Sequence, residues 1–145
     1  NCGVGNAKRV QQGYGKGMQL MMGSGLILML LLFFGRKPLL SLLLSPENTV
    51  SLELAAVYLL LMCFFLPESY AGNIGQGYYR GIGRVKITFC ASMVQIVTRV
   101  ILTYALVPVL SLNGVAVACG VGWSGMILCH WLCLKKYGYR QPGSI

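Results

Sequence analysis

Four long apolar stretches, separated by short polar segments, constrain the fold of this 145-residue chain more than any other feature. They cover about residues 17–34, 49–79, 85–110 and 112–134. A helix needs roughly 20 mostly apolar residues to cross the hydrocarbon core of a bilayer. Lipid offers no partner to backbone N–H and C=O groups, so a spanning helix must satisfy them internally. The stretches therefore predict an all-α fold, a transmembrane bundle of four membrane-spanning helices.

The charge content agrees with a membrane location. Only 10% of the residues are charged and 56% are hydrophobic, whereas soluble domains carry about 25% charged residues. The formal net charge is +9, which in a soluble protein would suggest a nucleic-acid partner. Here the cations flank the apolar stretches, so we expect the lipid bilayer as a partner and no nucleic acid.

The distribution of Lys and Arg predicts the orientation of the chain. With helices alternating in direction, Arg36 and Lys37 fall on one side of the membrane. The other side receives nine cations: Lys8, Arg9, Lys16, Arg80, Arg84, Lys86, Lys135, Lys136 and Arg140. Cytoplasmic segments carry the excess of positive charge. We therefore expect a multi-pass protein of the cytoplasmic (plasma) membrane, with both ends of this chain and the loop at residues 80–84 in the cytoplasm.

Small residues and a short connection predict how the last two helices pack. The connection from the third stretch to the fourth, LSLNG at residues 110–114, is only a few residues long, so those helices should be antiparallel neighbours. The fourth stretch carries Ala116, Gly120 and Ser124 at four-residue spacing. Rows of this kind let membrane helices approach closely, so we interpret these three residues as structural.

Several motifs occur in a fixed order along the whole chain. They are NCGVGNAKRV at residues 1–10, Tyr58-Leu59, Pro67, GNIGQGYYRGIGRVK at residues 72–86, and TRVILTYALVP at residues 98–108. In order and spacing they resemble the motifs of the MATE family, the multidrug and toxic compound extrusion transporters. Two positions depart from the family pattern: Val4 stands where Ala is usual, and Ile101 where Pro is usual.

This resemblance implies a function and a place in a larger protein. It implies that the chain corresponds to the last four of about twelve helices, which form two bundles around a central cavity. It further implies a secondary active antiporter that exports small organic, often cationic, compounds in exchange for Na⁺ or H⁺. The partners would be the remaining helices and the organic substrate, and no cofactor is expected beyond the coupling ion.

Two other classes of function remain open, and one is disfavoured. A lipid-linked oligosaccharide flippase of the same superfamily needs a cationic cavity, for which Arg99 is the one candidate within a stretch. A structural membrane subunit without transport activity is the second alternative. An enzyme is disfavoured because the sequence offers no carboxylate pair and no Ser-His-Asp set, and we assign no catalytic residue.

The second stretch contains the one carboxylate deep in an apolar run, Glu68. Ionisable groups within membrane spans are costly and are functional candidates by default. The resemblance places a cation-binding acid one position later, where Ser69 stands, so Glu68 and Ser69 are candidates for cation coupling or substrate binding. Alternatively, Glu68 pairs with Arg99, because both lie roughly 20 Å from the loop at 1.5 Å per residue.

Polar residues recur along one face of the third stretch. They are Thr88, Ser92, Gln95, Arg99 and Thr103, at steps of three and four residues. Such a face should point to the bundle interior or to a wet cavity rather than to lipid. We therefore name Gln95, Arg99 and Thr103 of this stretch as candidates for lining the cavity. Asn73, in the second stretch, is a fourth candidate.

The sequence offers one apparent metal motif, which we reject. Cys129, His130 and Cys133 are close along the fourth stretch. Cys129 and Cys133 share a helix face, but successive residues are rotated by about 100°, so His130 points elsewhere. A tetrahedral site needs four ligands, and we predict no metal site here.

Overall fold

The computed structural model describes residues 6–43 and 49–137, and these residues form four α-helices. They are α1 (Ala7–Leu43), α2 (Thr49–Gly81), α3 (Val85–Leu110) and α4 (Leu112–Tyr137). Each is long and apolar enough to cross a membrane. The predicted fold class, an all-α bundle of four membrane-spanning helices, is confirmed.

The helices α2 to α4 begin where the predicted stretches begin, whereas α1 is longer than its stretch on both sides. It includes the glycine-rich segment QQGYGKG and continues through Pro38. A helix satisfies its own backbone N–H and C=O groups near a membrane surface as well as in lipid. It can therefore extend beyond its apolar stretch at both ends. The first five residues of the NCGVGNAKRV motif lie outside the described residues, as does Arg140.

The helices pack in the order α1, α2, α4, α3, with only slight contact between α2 and α3. Tyr14 contacts Tyr78, and Gly25 faces Pro67, so α1 runs antiparallel to α2. Similar pairings make α4 parallel to α2 and antiparallel to α3. The arrangement gathers eight cations at one end of the bundle, here called the basic end: Lys8, Arg9, Lys16, Arg80, Arg84, Lys86, Lys135 and Lys136.

The loop at the basic end is a compact helix stop. Gly83 has a positive φ of 77°, which glycine adopts without the penalty that a Cβ atom brings. The N–H of Arg84 donates to the carbonyl of Tyr79 at 2.9 Å, and the N–H of Gly83 donates to that of Arg80 at 3.1 Å. These two bonds are the Schellman pattern that satisfies the last carbonyls of a helix. Gly83 thus lets the chain reverse direction within the three residues between α2 and α3.

Replacing Gly83 by Ala should destabilise the protein by about 1–2 kcal/mol, the cost of a left-handed conformation for a residue with a side chain. The matched control is Gly81→Ala, because Gly81 lies in helical conformation and a Cβ there meets nothing within 4 Å. That control should be neutral or slightly stabilising. Denaturant titration in micelles gives the free energy of unfolding of both variants. Equal values for the two variants would show that the turn does not depend on the left-handed conformation of Gly83.

The connection between α3 and α4 is a single residue, Ser111, which also has a positive φ, of 50°. Its N–H donates to the carbonyl of Val107 at 2.9 Å, and its carbonyl accepts from the N–H of Gly114 at 3.1 Å. So short a turn presses the first turn of α4 onto the last turns of α3. These two helices are antiparallel neighbours, as the length of the connection predicted.

Candidate functional site

The contact between α2 and α4 is built on glycines that admit large side chains from the other helix. A Cβ at Gly72 would overlap the methyl group of Met126, and one at Gly75 would lie 2.5 Å from Nδ1 of His130. On α4, a Cβ at Gly120 would collide with the ring of Phe65. Missing side chains let helix backbones approach closely. The two helices are therefore close enough for short polar side chains to meet between them.

Glu68 and Ser124 form such a polar contact. The Ser124 hydroxyl donates to Oε2 of Glu68 at 3.1 Å, from α4 to α2. Glu68 is half-buried and follows Pro67, through which α2 continues. On the α1 side, Gly25 packs against Pro67, because a Cβ there would lie 3.2 Å from the proline Cα. The carboxylate thus lies beside α4 at an exposed edge of the α2–α4 contact, on a helix that packs against α1 and α4.

The alternative partner for Glu68, Arg99, does not bind it. Within residues 6–43 and 49–137, the guanidinium of Arg99 makes no hydrogen bond or ion pair, and its side chain is exposed. The ion pair inferred from equal depth is therefore wrong in this structure. The physical reason is the packing order: α4 contacts both residues, through Ser124 on one side and Gly122 on the other. Equal depth brings two side chains together only where their helices touch.

The polar face of α3 lies against its neighbours over most of its length. Thr88 is buried, and Ser92, Gln95 and Thr103 are half-buried. A Cβ at Gly122 on α4 would lie 3.1 Å from the Gln95 carbonyl oxygen and 3.5 Å from Cβ of Arg99. The Cβ atom of Arg99 therefore lies close to α4, whereas the residue as a whole is exposed. That Gln95, Arg99 and Thr103 line a transport cavity stays a prediction.

Two further candidates lie apart from the polar face of α3. Ser69 is half-buried next to Glu68, rotated from it by about 100° around α2. Asn73 is exposed and lines a groove between α1 and α2. The structure therefore brings Glu68 and Ser124 together but places Asn73 on the opposite side of α2 from the contact with α4.

A second polar cluster, which the sequence did not single out, lies nearer the basic end. The Gln76 amide donates to the Ser92 hydroxyl at 3.3 Å and to Sδ of Met126 at 3.0 Å, so one side chain links α2, α3 and α4. A Gln within the second predicted span was the available signal, because interhelical amides commonly join membrane helices. The sequence alone could not show which helices it joins.

His130 is part of the same region and lies between α2 and α4. The side chain is buried, with 4% exposed. Its ring stacks on Tyr79 at 5.3 Å between centroids, and its backbone carbonyl accepts from the Tyr79 hydroxyl at 2.8 Å. Gly75 leaves the space that the imidazole fills. His130 therefore fixes α4 against α2.

Comparison with known proteins gives one match. The family model described as MatE matches residues 1–105, more than two thirds of the chain. The match contains Glu68 and the polar face of α3, whereas Ser124 lies beyond it. Searches of curated proteins and of solved structures found no significant match.

Proposed function

This chain belongs to the MatE family of membrane transporters, and we propose that it forms part of a secondary active antiporter. The antiporter exports small organic, often cationic, compounds in exchange for Na⁺ or H⁺. The remaining helices of the transporter complete the bundle around its cavity. The observation that carries the proposal is the Glu68–Ser124 contact, a carboxylate and a hydroxyl that meet between two membrane-spanning helices.

The chemistry of Glu68 suits an exchange of cations. An ionised carboxylate within the membrane is costly unless a positive charge or several hydrogen bonds compensate it. The described contacts give Glu68 one hydrogen bond, from the neutral hydroxyl of Ser124. A proton, Na⁺ or an organic cation would each supply the missing compensation. Only one of them can do so at a time, and this competition is the basis of antiport.

Ser124 fits the same role. Its oxygen has lone pairs besides the proton that it donates to Glu68. Hard cations such as Na⁺ prefer carboxylate and hydroxyl oxygens. The pair therefore offers two oxygens from two helices to a coupling ion, and one of those helices would have to move to release it.

The basic end supports a proposed orientation in the membrane. Eight of the cations in the described residues lie there, and such an excess favours the cytoplasmic side. We place the protein in the cytoplasmic membrane with the basic end inside the cell. Export then moves compounds away from the basic end, toward the side that carries Arg36 and Lys37.

Inside-out membrane vesicles that contain the full transporter test the proposed function. Ethidium, a permanent organic cation, serves as the probe. A gradient of Na⁺ or H⁺, higher in the vesicle lumen, should drive ethidium into the lumen, and an ionophore for the coupling ion should stop it. Accumulation that needs ATP and ignores both gradients would contradict antiport. No accumulation of ethidium or of a second probe, the organic cation tetraphenylphosphonium, would contradict export of organic cations.

A further inference from the structure

A groove between α1 and α2 plays no part in the proposed ion exchange. It opens near the basic end and has a volume of about 330 Å³, within the range of about 300–1,000 Å³ typical of binding sites for small molecules. Seven residues line it: Gly13, Tyr14, Met21, Asn73, Ile74, Gly77 and Tyr78. The two helices are in contact both above and below it, at Tyr14–Tyr78 and at Gly25–Pro67.

Glycines create the space in this groove. A Cβ at Gly13 or at Gly77 would meet nothing within 4 Å, so both positions face open volume. By contrast, Gly17 is in close contact, since a Cβ there would lie 3.0 Å from Cδ1 of Ile74. One glycine of α1 thus brings the helices together, while another one turn away leaves a hollow.

The groove is polar at one end and apolar at the other. At the basic end, the rings of Tyr14 and Tyr78 meet edge to face with centroids 4.9 Å apart. Such amphipathic rings are typical of the membrane interface. Toward the membrane middle the lining is Met21, Ile74 and the single amide of Asn73. A ligand that fits must be polar near the interface and apolar further in.

Three cations surround the polar end. Arg9 and Lys16 lie one helical turn on either side of Gly13, at the edge of the α1 face that forms the groove. Arg80 lies one turn beyond Gly77, and its guanidinium donates to Oε1 of Gln76 at 3.5 Å. Each of the three cations is exposed. Both described carboxylates are elsewhere: Glu53 is in the first turns of α2, and Glu68 is bound by Ser124 on α4.

We propose that this groove binds one anionic phospholipid from the leaflet at the basic end. Its phosphate would lie among Arg9, Lys16 and Arg80, and one acyl chain would follow the hollow at Gly13 and Gly77 toward Met21. The three cations repel a cationic compound, which separates this groove from the export path. A free phosphate compound would leave the apolar part of the groove without a ligand.

Native mass spectrometry of the full transporter, titrated with phosphatidylglycerol or phosphatidylcholine, tests the proposal. The wild type should retain one phosphatidylglycerol at concentrations at which phosphatidylcholine is lost. Each cation near an anionic lipid contributes about fivefold in affinity. Arg9→Gln, Lys16→Gln and Arg80→Gln should therefore each weaken retention by about that factor. sn-Glycerol 3-phosphate should not compete with the lipid.

Two kinds of variant separate the groove from general surface charge. Gly13→Leu with Gly77→Leu fills the hollow and should reduce phosphatidylglycerol retention to the level of phosphatidylcholine. The matched control Gly15→Leu, at a glycine outside the lining with equally open space, should retain the lipid. Lys135→Gln with Lys136→Gln removes two cations from the same end on α4 and should change little.

Three results would overturn the proposal. The first is equal retention of both lipids by the wild type, which is expected if protein covers the groove. The second is unchanged retention in the filled-groove variant. The third is an equal loss on removing Lys135 and Lys136, which would show a diffuse attraction to the whole basic end. If a leucine variant fails to fold, Arg9→Gln, Lys16→Gln and Arg80→Gln still test the proposal, because these three residues are exposed.

Discussion

Ion-driven accumulation of ethidium should fall to background when Glu68 is replaced by Gln. Glutamine keeps the shape of the side chain and can still accept a hydrogen bond from Ser124, but it carries no charge to bind Na⁺ or H⁺. Interactions with a charged group contribute about 1.5–3 kcal/mol. We therefore expect the initial rate to fall by roughly 10- to 100-fold or more, measured in inside-out vesicles under the same ion gradient.

The same helix supplies the matched control. Glu53→Gln makes the same chemical change at an exposed carboxylate far along α2 from Glu68, and it should leave ethidium accumulation unchanged. If Glu68→Gln transports as the wild type does, or if both variants lose activity equally, Glu68 has no specific role in coupling.

Ser124 gives a graded version of this test. Ser124→Ala removes the hydrogen bond to Glu68 and should change the apparent affinity for the coupling ion by about tenfold. Affinity for Na⁺ should fall because an oxygen ligand is lost, whereas affinity for H⁺ should rise because the lost hydrogen bond favoured the ionised carboxylate. Ser124→Thr keeps the hydroxyl and should restore it. Ser124 is exposed, so neither change should greatly affect folding. Loss of activity in both variants, with ion affinity unchanged, would indicate a packing role instead.

The second large effect concerns stability. Gly114→Ala should destabilise the protein by about 2–3 kcal/mol, the upper range for overpacking. A Cβ at Gly114 would lie 2.8 Å from the backbone carbon of Leu106 and 2.9 Å from its oxygen. Backbone cannot move aside as the end of a flexible side chain can. The single-residue turn at Ser111 prevents α4 from moving away from α3.

The control for Gly114 lies on the same helix and faces the same neighbour. A Cβ at Gly125 would meet only Cγ1 of Val94, at an ordinary 3.6 Å. Gly125→Ala should therefore be neutral, or stabilising by up to about 1 kcal/mol. Denaturant titration in micelles gives the free energy of unfolding for both variants. Equal destabilisation would show that the turn does not hold α3 and α4 together as tightly as the structure indicates.

The fold was predictable because hydrophobic length dominates it. An apolar run of about 20 residues has few alternatives to a spanning helix in lipid. The short connection LSLNG likewise left one arrangement for α3 and α4. The bounds of α1 were not predictable, because its glycine-rich first turns carry no hydrophobic signal. Helix formation there follows from backbone hydrogen bonding near the membrane surface.

The site was only partly predictable. The sequence marked Glu68 because a carboxylate in an apolar run is conspicuous. Ser124 was interpreted as one of the small residues through which helices pack. The four-residue spacing does not distinguish a serine that only packs from a serine whose hydroxyl binds a carboxylate. Arg99 was paired with Glu68 by depth, which says nothing about the helix that lies between them. Tertiary packing decides which helices are neighbours, and the spacing of polar residues along one helix does not show it.

Cation release on substrate binding tests the central claim, that Glu68 couples ion entry to export, most directly. The purified full transporter is loaded with ²²Na⁺ or held in weakly buffered solution, and ethidium is added. The wild type should release Na⁺ or H⁺ as ethidium binds, because both cations compete for the Glu68 carboxylate. Glu68→Gln should release neither. Release of Na⁺ or H⁺ from Glu68→Gln in the same amount as from the wild type would contradict the claim.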